Sequence, residues 1–171
     1  MKKTLTIILA FALVIAMSVA GTVAYLTSQD SVTNTFTVGK VAITLDEAKV
    51  DANGAAVTPA ERVKANSYKL IPGHAYTKDP IIHVDASSEK CWLFVKVENG
   101  ISAIEDSENT IAAQLADNGW SAVTGAANVY AYNRIVAGGT DVPVFGSFKI
   151  AGNAAVADYA NAKVVVTAYA V

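Results

Sequence analysis

The stretch "PIIHVDASSEKCWLFVKVEN" (residues 80–99) sets Pro80, Ile82 and Val84 against Ile81, His83 and Asp85. This two-residue alternation predicts a half-buried strand. "CWLFVKVEN" (91–99) is the most aromatic and β-branched run of the chain and predicts a second strand, expected to form a central antiparallel pair with the first. Upstream, "NTFTVGKVAITLDEAKV" (34–50) alternates Phe36 and Val38, then Val41, Ile43 and Leu45. The parity changes across Gly39 and Lys40, as at a bulge or a break between two strands. "NVYAYNRIV" (128–136), "VFGSFKI" (144–150) and "AKVVVTAYAV" (162–171) predict three more strands, with a turn at Gly138 and Gly139.

Helical spacing is rarer. "SENTIAAQLADNG" (107–119) places Ile111 and Leu115 four apart, with Ser107 as the expected cap and Asn118-Gly119 as the stop. "GNAAVADYANA" (152–162) reads as a brief helix or a loop. The fold class these elements predict is all-β: an antiparallel jelly-roll β-sandwich of about seven or eight strands with one or two short helices.

The chain has 171 residues, enough for one domain and a leader. Hydrophobic residues make up 53% and charged residues 16%, which excludes a disordered chain. A formal charge of -2, with no basic cluster after Lys2 and Lys3, gives no footprint for nucleic acid. Cys91 is the single cysteine, so no internal disulfide can form. It opens a buried-looking strand, has no histidine nearby, and reads as a small core hydrophobe.

Catalytic patterns are lacking. His74 and His83 are the only histidines, and their odd separation does not place them on one strand face, so convergence on zinc is not implied. His83 and Asp85 share a face and read as an exposed polar pair. "DANG" (51–54) resembles the opening of a calcium loop, but Ala56 and Arg62 stand where an EF-hand needs glycine and glutamate, so it reads as a turn. Glu105, Asp106 and Glu108 are the carboxylates that could hold calcium. Ser87-Ser88 and Gly138-Gly139 match neither a nucleophile elbow nor a phosphate loop. The expectation is a protein that is not an enzyme and carries no catalytic residue, metal or cofactor.

The N-terminus is informative. Lys2, Lys3, the apolar run "LTIILAFALVIAMSVA" and the small residues that follow have the parts of an export signal. The competing reading is a retained membrane helix, since no charge falls between Lys3 and Asp30. Cleavage after Ala20 or after Ala24 satisfies the small-x-small rule. Cutting between Ala24 and Tyr25 exposes "YLTSQDSVTNTFTVG", polar and then alternating, without proline. Such an end can add to the sheet edge of another subunit, gaining about 0.5–1.5 kcal/mol per main-chain bond. It can equally form the first strand of its own sandwich.

"GTVAYLTSQDSVTNTFTVGKVAITLDE", "LIPGHAYTKDPIIHVDASSEKCWLFVKVEN" and the final "VVVTAYAV" resemble the TasA/camelysin-like family of Gram-positive bacteria. The most specific parts are the junction followed by "N-x-F-T-V-G" and the segment "PG-x-x-Y-T-K-D-P"; the resemblance is weaker from about residue 100 to 139. It implies a secreted jelly-roll subunit of biofilm-matrix or surface fibres, polymerising by donor-strand exchange. The implied organisation is a signal peptide at 1–24, a donor segment at 25–38 and a jelly-roll domain at 39–171. Ala24 and Tyr25 flank the implied cut by a SipW-type signal peptidase, and Val32, Thr33, Phe36 and Val38 are expected to enter the acceptor groove. Pro72, Gly73, Trp92, Phe94 and Val95 are expected to shape the acceptor's core. The implied partners are further copies of the chain, head to tail, and an accessory or anchor protein. Membrane contact is expected only through the uncleaved leader. The rival readings are a monomeric surface-binding module, a retained membrane-anchored subunit, and a secreted metalloprotease using His74 and His83. The last is a label given to some relatives, and no ligand spacing here supports it.

Overall fold

A computed structural model of the chain describes residues 39–171. The leader, the junction at Ala24 and Tyr25, and Val32, Thr33, Phe36 and Val38 of the donor segment lie outside the described residues.

Alternating apolar residues produce ten short strands: β1 (Ile43–Ala48), β2 (Arg62–Val63), β3 (Ala75–Thr77), β4 (Ile81–Val84), β5 (Leu93–Asn99), β6 (Trp120–Ala122), β7 (Val129–Tyr132), β8 (Asp141–Pro143), β9 (Ser147–Lys149) and β10 (Val164–Ala170). One α-helix, α1 (Ile111–Asp117), precedes β6, and 3-10 turns lie at Ser102–Ile104 and Val156–Tyr159. All pairings are antiparallel. The first sheet runs β2-β1-β4-β8, the second β10-β5-β7-β6, and β3 pairs β9 in a two-stranded third. The inward residues Ile82, Val84 and Val142 of the first sheet share one core with Leu93, Val95, Val97 and Trp120 of the second. Each such side chain, fully buried, contributes about 1.5–3 kcal/mol.

Several local expectations are corrected. β4 and β5 do not pair: β4 lies between β1 and β8, and β5 between β10 and β7. Asp85 Oδ1 accepts from the Ser87 backbone N–H and hydroxyl, so the chain turns there and crosses to the other sheet. Both strands then bury their apolar faces in the same core from opposite sides. The helix is capped by Thr110, whose Oγ1 accepts from Ala113 N at 3.1 Å, and not by Ser107. "VFGSFKI" is not one strand; its first residues follow β8, and Ser147–Lys149 turn to pair with β3. Trp92 is 45% exposed, so it does not shape the core, whereas Val95 is fully buried.

Candidate functional site

The run "AKVVVTAYAV" forms β10, which among the described residues ends the second sheet, and its ladder fixes which backbone groups face outward. Trp92 and Val171 exchange both backbone hydrogen bonds, at 2.7 and 3.0 Å. In an antiparallel ladder such pairs recur every second residue, so Val165, Thr167 and Tyr169 also bond to β5. The N–H and C=O groups of Val164, Val166, Ala168 and Ala170 therefore point away from β5, where the sheet order places no further strand among the described residues. The side chains of these four residues pack against the core yet stay half-buried. Among the described residues, one side of β10 is thus an unpaired edge with an incompletely covered apolar face.

Across from it stands β1. Its ladder with β4 includes the bond from Asp85 N to Ala42 O, so Thr44 and Asp46 bond to β4 while Ile43 and Leu45 present their backbone groups to the other side. β2 and the residue before it cover that side only from Glu47 to Lys49. Lys64 Nζ donates to Leu45 O at 2.6 Å. Ile43 and Leu45 are half-buried, as are the inward residues of β10.

A cleft of about 1000 Å3 opens between these strands, lined by Leu45, Glu47, Tyr68, Lys78, Phe148, Val164 and Val166 among others. Its far wall is the segment before β3, held by aromatic packing. Tyr68 meets Phe148 edge to face at 5.1 Å, and Tyr76 stacks on Phe148 at 4.8 Å. The Tyr76 hydroxyl donates to Lys69 O at 2.5 Å and accepts from Ile71 N at 2.7 Å. Burial, and then the charge of Glu47, hold the Tyr68 hydroxyl well above the ordinary tyrosine range, so it stays protonated. At the end of the cleft Gly100 N donates to Lys163 O, and a Cβ on Gly100 would lie 2.7 Å from that oxygen. A side chain there would force β5 and its neighbour apart.

The cleft also has a polar patch. Lys78 Nζ donates to Glu47 Oε2 at 2.5 Å, and Glu47 Oε1 accepts from Asn66 Nδ2 at 2.9 Å. The lysine of "Y-T-K-D-P" is thus half of a buried ion pair. The aspartate of the same motif, Asp79, accepts from Ala48 N and from Arg62 Nη1. Sequence reading missed Glu47 as the partner because it lies 31 residues away.

The other candidate residues are occupied elsewhere. His74 Nε2 lies 2.8 Å from Asn53 O, and its ring packs on Tyr76. His83 meets Asp46 and Asp141, not Asp85, so the two histidines share no partner. Asp51 Oδ1 accepts from Asn53 N and Ala55 N, which makes "DANG" a turn. Glu105 accepts from Asn99 Nδ2 and Ile111 N, while Asp106 pairs with Lys149. Among the described residues no three metal-ligating side chains converge. Cys91 is buried, and that burial raises its thiol pKa.

The chemistry available at the cleft is therefore main-chain hydrogen bonding along β10, apolar burial beneath it, and one buried charge pair. The chain matches no family model, no curated protein and no solved structure at a significant level.

Proposed function

We propose that this chain is a secreted structural subunit of extracellular or biofilm-matrix fibres, a jelly roll that polymerises when each subunit receives a strand from the next. The donor is the segment 25–38, released by a SipW-type signal peptidase cutting between Ala24 and Tyr25. Val32, Thr33, Phe36 and Val38 are its groove-facing candidates. The observation that carries this reading is the edge of β10, whose four outward-directed residues have half-buried side chains beside an open cleft. An added strand bonding to that edge gains about 0.5–1.5 kcal/mol per main-chain bond. It also removes from water the exposed parts of Val164, Val166, Ile43 and Leu45. Head-to-tail addition of this kind does not close on itself, which is the symmetry of a filament.

The resemblance of residues 21–47 and 70–99 to fibre-forming matrix proteins supports the same reading. The test compares protein beginning at Tyr25 with protein lacking 25–37, by light scattering and negative-stain microscopy. Filaments from the first and monomers from the second are expected. A mature form that stays monomeric at every concentration, with a truncated form that unfolds, would make the segment an internal strand and the protein a monomeric surface-binding module.

A further inference from the structure

The wall of the cleft is not apolar throughout. Lys78 is 8% exposed and Glu47 4%, yet both line the cleft. An ammonium carries three N–H donors, and Lys78 Nζ uses one of them, on Glu47 Oε2. The other two meet no protein acceptor among the described residues. A wholly apolar strand laid into the cleft would seal those donors away from any acceptor, a penalty that defeats insertion. Whatever fills the cleft has to bring an oxygen to Lys78.

The donor sequence has one residue placed to do so. Along 25–38 the even positions read Leu26, Ser28, Asp30, Val32, Asn34, Phe36 and Val38, while the odd positions from Thr27 to Thr37 are all polar. A strand with this period turns its even face inward. A period of two cannot seat Val32 and Thr33 together, so Thr33 leaves the groove-facing set given above, and Asn34 is the polar residue on the apolar stretch from Val32 to Val38. Val32 and Phe36 stand about 7 Å to either side of it. Leu45 flanks Glu47 on the same face of β1 with that same two-residue spacing.

We propose that Asn34 of one copy seats on the Lys78–Glu47 pair of the next and sets the register of the assembly. Its carbonyl oxygen accepts from Lys78 Nζ and its amide nitrogen donates to the Glu47 carboxylate. A neutral amide satisfies both ends without adding charge to a paired site. Asp30, the next polar inward residue, would bring a carboxylate beside Glu47. A two-residue slip puts Val32 or Phe36 on the pair, and a one-residue slip turns the threonine face inward. This assignment rests on the strand-exchange reading above.

The experiment is the critical concentration for filament formation by protein beginning at Tyr25, measured by light scattering for wild type, Asn34→Val, and Asn34→Val combined with Glu47→Leu and Lys78→Met. Wild-type filaments, a rise of about tenfold or more in Asn34→Val, and recovery in the triple variant are expected. Asn34→Val changes no residue of the core described above, so its result is read independently of whether the triple variant folds. Wild-type filaments with an unchanged critical concentration in Asn34→Val would overturn the register assignment alone. A wild type that never assembles would overturn the strand-exchange reading and the assignment with it.

Discussion

The two sheets are finished differently at their two ends. Where β6 and β8 form the edges, side chains reach across and occupy the backbone. Trp120 Nε1 donates to Pro143 O at 3.0 Å, and Asn118 Nδ2 donates to Val144 O at 3.1 Å. Gln114 donates to Ser147 O and accepts from both Gly146 N and Ser147 N. Helix α1 is the device that brings these groups there. At the other end, β10 and β1 face a cleft; Lys64, Arg62 and Asn66 reach the carbonyls of Leu45, Asp46 and Ala48 on β1, while among the described residues no strand follows β10. Edge strands are an aggregation hazard, and the β6–β8 end manages it by covering. Leaving the β10 edge bare is costly unless something pairs with it.

The contrast breaks most severely at Trp120, which is 2% exposed and holds the closed end. Trp120→Ala removes a large buried ring and its bond to Pro143, and a loss of about 3–5 kcal/mol is expected in chemical denaturation.

At the open end, adjacent positions on β10 respond to proline in opposite ways. Val165 N–H belongs to the ladder with β5. Val165→Pro removes that bond and strands its acceptor, so a loss on the order of 3 kcal/mol is expected. Val166 N–H points to the bare edge, where proline is tolerated. Val166→Pro is expected to shift Tm by no more than a few degrees while abolishing filament formation. Equal destabilisation by the two prolines would show that both sides of β10 are paired within one chain.

Gln114→Ala is a smaller cut at the closed end. It deletes three hydrogen bonds to a turn that water can partly reach, and about 1–2 kcal/mol is expected to be lost. Assembly of the protein beginning at Tyr25 is expected to persist, because the acceptor edge lies at the other end of both sheets.

Much of this contrast could be read from the chain, but unevenly. The runs at 91–99, 128–136 and 162–171 announced their strands because period-two alternation is local. Pairing is not local. β4 and β5 adjoin in sequence, yet the turn at Asp85 sends them to opposite sheets, and no residue pattern inside either strand records that. "SENTIAAQLADNG" identified the helix but not its cap, since serine and threonine are both good caps and the residues themselves do not say which one starts the first turn. The cleft escaped sequence reading because its polar patch joins Glu47 to Lys78 and its rim joins β1 to β10, separations that only the fold brings together. Trp92 reads as core because aromatic residues in strands usually are. Its parity, two residues from half-buried Phe94 and opposite to Leu93, was the available signal that it lay on the outer face.

The smallest effect lies on the outer face of the first sheet, in a row of charged side chains that crosses it. His83 on β4 meets Asp141 of β8 at 2.7 Å through Nδ1 and Asp46 of β1 at 3.0 Å through Nε2. Asp46 also pairs with Arg62 of β2, which reaches Asp79 at 3.1 Å. The row ties all four strands together. The hydrogen bond to Asp46, against partial burial and with help from Asp141, raises the His83 pKa above its ordinary 6.5. The folded protein therefore holds the His83 proton more tightly than the unfolded chain. That contribution is fully present below pH 6.5 and is lost as pH rises through the raised folded value. Wild-type Tm is expected to fall modestly across this window, while His83→Gln, which cannot titrate, is expected to lose the dependence. Asp46 works in the opposite direction: burial pushes its carboxyl up, but Arg62 and His83 outweigh it and the pKa is lowered. Its contribution is lost only in acid, as pH falls through that lowered value. A pH series on both proteins separates the two groups, and filament formation measured alongside tells whether loosening this sheet reaches the β10 edge. If strand exchange depends on β10 and the cleft alone, assembly keeps its critical concentration while Tm moves.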